Sequence, residues 1–271
     1  DVVSKLPDES IGYSIFSPPF ASLYTYSDDL RDMGNCHDDQ DFMVHFRYLI
    51  PELYRVTKPG RLVSFHCMDL PSSKTRDGFI GLKDFRGELI RAFQESGWIL
   101  HSQVCIWKDP VTAMQRTKAL GLLHKQIRKD SCMSRQGIPD YLVTMRKPGE
   151  NLEAVSHTAD DFPVSLWQRY ASPVWMDINP SDTLQYRSAR DHEDERHICP
   201  LQIEVIRRAL KLWSNPDDVV LSPFAGIGSE GYVSLECGRR FVGVELKPSY
   251  YKAACENLAS IDAQGNLFHV A

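Results

Sequence analysis

No run in this chain approaches the roughly 20 apolar residues that cross a bilayer. Its start, Asp1-Val2-Val3-Ser4, carries neither a basic n-region nor an apolar h-region. A membrane span and a secretory leader are therefore not expected, and the reading is a cytoplasmic protein. Cysteine pairs at C-x-x-C spacing are missing too. The seven cysteines, Cys36, Cys67, Cys105, Cys132, Cys199, Cys237 and Cys255, are scattered and odd in number, which argues against a disulfide framework and a structural zinc site. Cys36-His37 and His66-Cys67 are adjacent pairs with no second pair to complete four ligands, so no metal is expected. Internal repeats and low-complexity tracts are absent. An excess of positive charge is absent as well: the net charge is -5, which disfavours nucleic acid if charge is averaged over the chain. The chain begins without Met, inside what reads as an amphipathic segment, so residues before Asp1 are expected to matter.

What is present is 271 residues with 42% hydrophobic and 25% charged side chains, enough for one large core with a sizeable insertion. Charge is unevenly spread. Between Lys108 and Lys147 nine basic residues (Lys108, Arg116, Lys118, Lys125, Arg128, Lys129, Arg135, Arg146, Lys147) face three acidic ones (Asp109, Asp130, Asp140). Such a concentration suits phosphate contacts; a solvated basic helix is the plainer alternative.

Short apolar runs ending in turn residues alternate with helical patterns, the signature of an α/β domain with a mostly parallel sheet. The pattern predicts strands at Gly12 to Phe16, Arg61 to His66, Val219 to Ser222 and Arg240 to Glu245, with a further pair at His101 to Lys108 and Asp140 to Arg146. It predicts helices at Asp39 to Leu53, ending near Lys58-Pro59-Gly60, then Phe85 to Ser96, Pro200 to Trp213, Gly228 to Cys237 and Ser249 to Ala259. The long basic connection between the paired strands exceeds an ordinary loop. The aromatic-containing stretch from Pro148 to Arg196 is expected to pack as a small irregular subdomain.

Two motifs carry chemistry. After Val219-Val220-Leu221-Ser222 comes Pro223-Phe224-Ala225-Gly226-Ile227-Gly228-Ser229-Glu230-Gly231, a glycine turn opening a helix, where a ligand can approach the backbone and free N–H groups. The next unit, Phe241-Val242-Gly243-Val244-Glu245, ends in an acid placed to accept hydrogen bonds from ribose hydroxyls. A tight turn followed by a surface Glu is the plain alternative. A dinucleotide enzyme would show G-x-G-x-x-G and place the unit first in the chain, which weakens that reading. The second motif is Ser17-Pro18-Pro19-Phe20, directly after Tyr13-Ser14-Ile15-Phe16. Its prolines stiffen the loop and remove two N–H donors, leaving carbonyls as acceptors. An amino group could give one hydrogen to such a carbonyl and one to Ser17, with Phe20 stacking on the base. That turns the nitrogen lone pair outward for in-line attack. A merely rigid loop is the alternative.

Taken together, S-P-P-F after a strand, Leu53-Tyr54-Arg55-Val56-Thr57-Lys58-Pro59-Gly60-Arg61-Leu62-Val63, His197-Ile198-Cys199-Pro200-Leu201-Gln202, S-P-F-A-G-I-G-S and G-V-E-L-K-P-S-Y-Y closely resemble the β-class DNA amino-methyltransferases, in which the catalytic motif precedes the cofactor motif. The resemblance spans nearly the whole chain and is weakest in the two insert regions. It implies a single Rossmann-like S-adenosylmethionine methyltransferase domain over residues 1–271: a mostly parallel sheet with a β-hairpin edge, helices on both faces, circularly permuted motif order and a small irregular insertion. It implies catalytic roles for Ser17, Pro18, Pro19 and Phe20. It implies an S-adenosyl-L-methionine site from Phe16, His197, Cys199, Pro200, Ser222, Pro223, Phe224, Ala225, Gly226, Gly228, Ser229, Glu245 and Leu246. Residues 109–139 fall where the family keeps a DNA-contacting loop, here Arg116, Lys118, Lys125, Arg128, Lys129 and Arg135, and 148–196 where it keeps target recognition. Two departures stand out. Ser222 replaces the usual Asp, and the acidic motif that contacts the cofactor adenine has no clear match; it precedes Asp1 or has drifted.

The expected reaction is methyl transfer to an exocyclic base nitrogen in DNA. S-P-P-Y/F leans toward N4 of cytosine, with N6 of adenine the alternative. Carbon-5 methylation needs a Cys nucleophile, usually after Pro, and no cysteine here follows a proline. A base in a duplex would have to be flipped out. DNA is the expected partner, with a homodimer or a larger modification system as further possibilities. The rival readings are a catalytically silent DNA-binding subunit and a methyltransferase acting on a glutamine side chain.

Overall fold

The computed structural model describes residues 2–20, 31–117, 120–185 and 200–267. Its strands are β1 (Ile11–Phe16), β2 (Thr57–Cys67), β3 (Leu70–Ser72), β4 (Gly81–Lys83), β5 (Ile99–Ile106), β6 (Asp140–Arg146), β7 (Val174–Trp175), β8 (Val219–Ser222) and β9 (Arg240–Gly243). The helices are α1 (Asp39–Arg47), α2 (Leu49–Val56), α3 (Lys74–Asp77), α4 (Phe85–Glu95), α5 (Pro110–Thr117), α6 (His124–Lys129), α7 (Val164–Tyr170), α8 (Ile203–Trp213), α9 (Ser229–Glu236) and α10 (Pro248–Leu267). Seven strands form one sheet in the order β7-β5-β6-β2-β1-β8-β9, and β3 and β4 form a separate hairpin. Pairings β1/β2, β1/β8, β8/β9 and β5/β7 are parallel; β6 runs antiparallel to β2 and β5.

All six residues of β1 are buried, as a central parallel strand covered on both faces requires. On one face Phe16, Val63, Phe65 and Leu221 meet Phe42, Phe46, Ile50 and Leu53 of α1 and α2 and Phe85, Leu89 and Phe93 of α4. On the other, Tyr13, Ile15, Leu142 and Val220 meet Val205, Ile206, Ala209 and Leu210 of α8. The expected fold class, with helices on both faces, is what the chain adopts. Among the described residues no helix is long and apolar enough to cross a membrane.

Several local expectations differ from the structure. The single helix predicted over Asp39 to Leu53 is two, because Pro51 has no N–H for the Arg47 carbonyl and its ring crowds that carbonyl; α1 therefore stops at Arg47 and α2 starts at Leu49. Lys58-Pro59-Gly60, expected to end a helix, lies inside β2 as a bulge. Pairing jumps from Ile11↔Thr57 to Tyr13↔Leu62, since Pro59 cannot donate to the ladder and Gly60 turns at φ +71. The bulge aims Arg61, 1% exposed, into the sheet. There its Nε donates to the Gly12 carbonyl at 2.8 Å and a terminal nitrogen bonds the buried Asp218 carboxylate.

Over its described part, the stretch from Pro148 to Arg196 is tied to the main sheet and to α8. β7 adds to β5 through Cys105↔Val174 and Ile106↔Trp175. Arg208 of α8, fully buried, forms a bidentate pair with Asp177 at 2.9 and 2.8 Å and sits 5.1 Å from both the Tyr170 and Trp175 rings. The expected strand pair β5/β6 is consequently flanked by β7.

Candidate active site

The parallel strands β1, β2, β8 and β9 deliver their C-terminal ends to one side of the sheet, where strand order reverses about β1 and β8. Open α/β sheets bind ligands at such a switch point. A cavity of about 1020 Å³ opens there. Ser17, Pro18, Pro19 and Phe20 form one part of its wall; Pro223, Phe224, Ala225, Gly226, Ser229, Glu245 and Leu246 form another, and Pro200 also lines it. Two turns far apart in sequence thus share one cavity because β1 and β8 are neighbours, paired through Ser14↔Leu221.

Three of the expected cofactor residues stand behind this wall. Phe16, fully buried, packs its ring 5.8 Å from that of Phe224. Ser222 is fully buried with its Oγ unpartnered among the described residues. Gly228, at φ +86, packs beneath α10: a Cβ there would lie 2.8 Å from Leu258. His197 and Cys199 lie outside the described residues.

The glycine turn is tied to the following strand. Ala225 N–H donates to the Val244 carbonyl at 2.8 Å, and Gly226 N–H donates to Glu245 Oε2 at 2.8 Å. Glu245 Oε1 accepts from Lys247 N–H at 2.8 Å. A carboxylate offers about four lone-pair sites, so Glu245 keeps acceptor capacity beyond these two bonds. Burial raises its pKa against these N–H bonds. Gly226, at φ +51, would point a Cβ into open space.

The Ser17 loop is held from behind by residues the sequence reading did not assign to the site. Phe16↔Phe65 register places His66 beside Ser17, and Ser17 Oγ shares a 3.2 Å hydrogen bond with His66 Nδ1. His66 Nε2 lies 3.1 Å from Asp140 Oδ2, and Lys108 Nζ donates to Asp140 Oδ1 at 2.6 Å. Burial opposes ionisation of Asp140, but His66 and the Lys108 ammonium outweigh it and hold the carboxyl below its usual range. Phe20 meets the His66 ring edge-on at 6.3 Å between centroids. The chain Ser17–His66–Asp140–Lys108 depends on antiparallel β6 bringing its first residue back to the ends of β1 and β2. No local spacing in the sequence signals that return.

The helix opened by the glycine turn adds Glu230, 4% exposed and on the cavity wall. Burial, reinforced by the nearby Glu245, pushes its carboxyl up to about 8. Cys36, Asp41 and His45 also line the cavity, with potential ligand atoms within 4.8 Å of one another. Asp41 there already accepts from His37 N–H at 3.1 Å and lies 3.5 Å from His45.

The basic segment divides. Lys125, Arg128 and Lys129 are exposed on α6. Arg135 instead lies half-buried, its Cγ 3.2 Å from where a Cβ on Gly121 would be, with Nε buried and unpartnered among the described residues. Arg116 sits on α5, and Lys118 lies outside the described residues. Lys108 serves Asp140, and Lys147 is buried, donating to the Thr57 carbonyl at 2.7 Å, so neither is spare for phosphate.

A DNA methylase family model matches residues 13–256. Type II methyltransferase M.BglII of Bacillus subtilis is 32% identical over 273 residues, covering 99% of this chain and 69% of that protein. M.XycI of Xanthomonas campestris pv. cyanopsidis, also a type II methyltransferase, is 37% identical over 280 residues, covering 95% of this chain and 84% of its own. The crystal structure of TTHA0409 from Thermus thermophilus, complexed with S-adenosyl-L-methionine, superimposes with a TM-score of 0.71 over 96% of this chain and 90% of that one, at 22% identity, a likeness of fold. With its S-P-P-F loop and glycine turn on one cavity, this chain belongs to the DNA methylase family of N4-cytosine and N6-adenine amino-methyltransferases.

Proposed function

We propose that this protein transfers a methyl group from S-adenosyl-L-methionine to the exocyclic amino nitrogen of a base in DNA, and that the base is cytosine, methylated at N4. The observation that carries the reading is the shared cavity: the Ser17 loop and the Gly226 turn face the same space at the ends of adjacent strands. The residues present suit the cofactor. Gly226 leaves room for a close approach, Glu245 retains acceptor capacity for ribose hydroxyls, and the buried Ser229 Oγ at the start of α9 has no partner among the described residues. The family and the cofactor seen with TTHA0409 support the same assignment. When bound, the cofactor supplies an electrophilic methyl group on a sulfonium.

The chain's own residues prepare the nucleophile. Pro18 and Pro19 have no N–H, so the loop between Ser17 and Phe20 presents acceptors to an amino group. Ser17 Oγ takes one amine hydrogen and a loop carbonyl the other, which localises the lone pair on nitrogen. Phe20, fixed against His66, offers its ring to the base. Methylation of an amine leaves one proton to dispose of. Ser17 passes it toward His66 Nδ1, and Asp140, beside His66 Nε2, stabilises the imidazolium that results. The cytosine assignment leans on Ser at the first motif position. The exposed bases on α6, Lys125, Arg128 and Lys129, serve as phosphate contacts, and 148–196 as the region for target recognition.

The test is to incubate the protein with DNA and methyl-labelled cofactor, digest to nucleosides and identify the product by mass. N4-methylcytosine is expected. N6-methyladenine would move the target to adenine, label in protein instead would favour a glutamine acceptor, and no transfer despite cofactor binding would favour a silent DNA-binding subunit.

A further inference from the structure

Glu230 is buried without a cation beside it among the described residues. It stands in the first turn of α9, is 4% exposed, and lines the cavity. Among the described residues its carboxyl receives a hydrogen bond from its own backbone N–H, and the nearby charge that acts on it is the like-signed Glu245. The described elements packed on α9 supply no counter-ion. On the α10 side Lys247 holds its ammonium 4.4 Å from the Tyr250 ring, and Arg207 of α8 is engaged by Glu236 at the far end of α9. Ser229, beside it, is 3% exposed, lines the same cavity and has a buried Oγ without a partner among the described residues. A buried carboxyl with no counter-charge is strongly disfavoured in its charged form, so its place on a cavity wall points to a cation that arrives with a ligand.

The neighbouring groups define that ligand. A carboxylate acceptor next to a hydroxyl donor at the positive end of a helix is complementary to an α-amino acid, ammonium toward the acid and carboxylate toward the helix. We infer that Glu230 and Ser229 form the subsite for the amino-acid end of the cofactor, with Glu230 receiving the α-ammonium; this rests on the cofactor reading above. The acid that the resemblance places at the start of the turn is absent: Ser222 stands there, off the cavity wall. In this chain the negative charge comes instead from the first turn of the helix.

The test is equilibrium binding by calorimetry. S-adenosylhomocysteine carries the amino-acid end without the sulfonium, and 5′-methylthioadenosine carries the same nucleoside and sulfur without the amino acid. Glu230→Gln is expected to weaken S-adenosylhomocysteine about tenfold or more while leaving methylthioadenosine within about twofold. Wild-type protein at pH 7 should release up to about one proton on binding S-adenosylhomocysteine, read from buffers of different ionisation enthalpy, because an incoming ammonium favours the ionised carboxyl. Equal weakening of both ligands, no weakening of either, or binding without proton release overturns the subsite. The proton measurement uses wild-type protein alone, so it holds even if the variant folds poorly. A wild type that binds neither nucleoside would sink the cofactor reading itself, and the subsite with it.

Discussion

Ser17 lines the cavity and its Oγ is hydrogen-bonded to His66; in the proposed mechanism the same Oγ is the acceptor for the amine, a duty that a single substitution separates from cofactor binding. Ser17→Ala should lower single-turnover methyl transfer by about 100-fold while calorimetric binding of S-adenosylhomocysteine stays unchanged. A comparable loss of cofactor affinity would count against the assignment. His66→Gln keeps a polar side chain but removes the imidazole to which the proposed mechanism passes the proton. It should reduce kcat about tenfold or more with KM for DNA little changed; a rise in KM alone would make His66 a structural prop. Glu230 gives a stability signature of its own. In the folded protein its carboxyl stays protonated up to about 8, against an ordinary 4.5, so between these values the folded state holds more protons than the unfolded one. Stability from this group is therefore full below pH 4.5 and is lost as pH rises toward 8. Melting temperature should fall across that window in wild type and fall less steeply in Glu230→Gln. The Ser17 loop and the glycine turn were legible because each is a contiguous run whose chemistry follows from its own residue types. His66, Asp140 and Glu230 were not. The first two acquire meaning only through strand register, and the third only because the cavity wall closes around it.

At the level of elements, strand cores were easy to read and junctions hard. β8 and β6 have the predicted bounds, because an apolar run flanked by turn residues reports burial directly. The α1/α2 break turned on Pro51, a single residue inside an otherwise periodic helical pattern. The β2 bulge turned on Pro59 and Gly60, which look like a helix stop until β1 is laid beside them. That bulge carries the Arg61–Asp218 pair, with side chains 2% and 5% exposed. Removing one member of a buried pair leaves the other charge uncompensated, so Asp218→Asn should destabilise the protein by about 3 kcal/mol, measured by urea unfolding. A change under about 0.5 kcal/mol would show that Arg61 is held well enough by the Gly12 and Glu153 carbonyls alone.

For the whole molecule, a net charge of -5 conceals a local basic surface, and α6 is where its described side chains reach solvent. Replacing Lys125, Arg128 and Lys129 together with Ala should weaken DNA binding uniformly across sequences. It should also lower the slope of log K against log salt by up to about 0.9 per lost phosphate contact; an unchanged slope would remove α6 from the DNA path. Fold class was legible at this scale because alternating strand and helix patterns admit few arrangements. The attachment of β7 was not, since two residues give no periodicity and the anchor, Arg208, lies on another element.

The strand order has a consequence for how the chain is made. β1 is central, yet one of its edges is covered only by β8, which is synthesised much later. During translation that strand has one row of backbone groups with no native neighbour, so the nascent chain carries an aggregation-prone edge until Val219–Ser222 emerges.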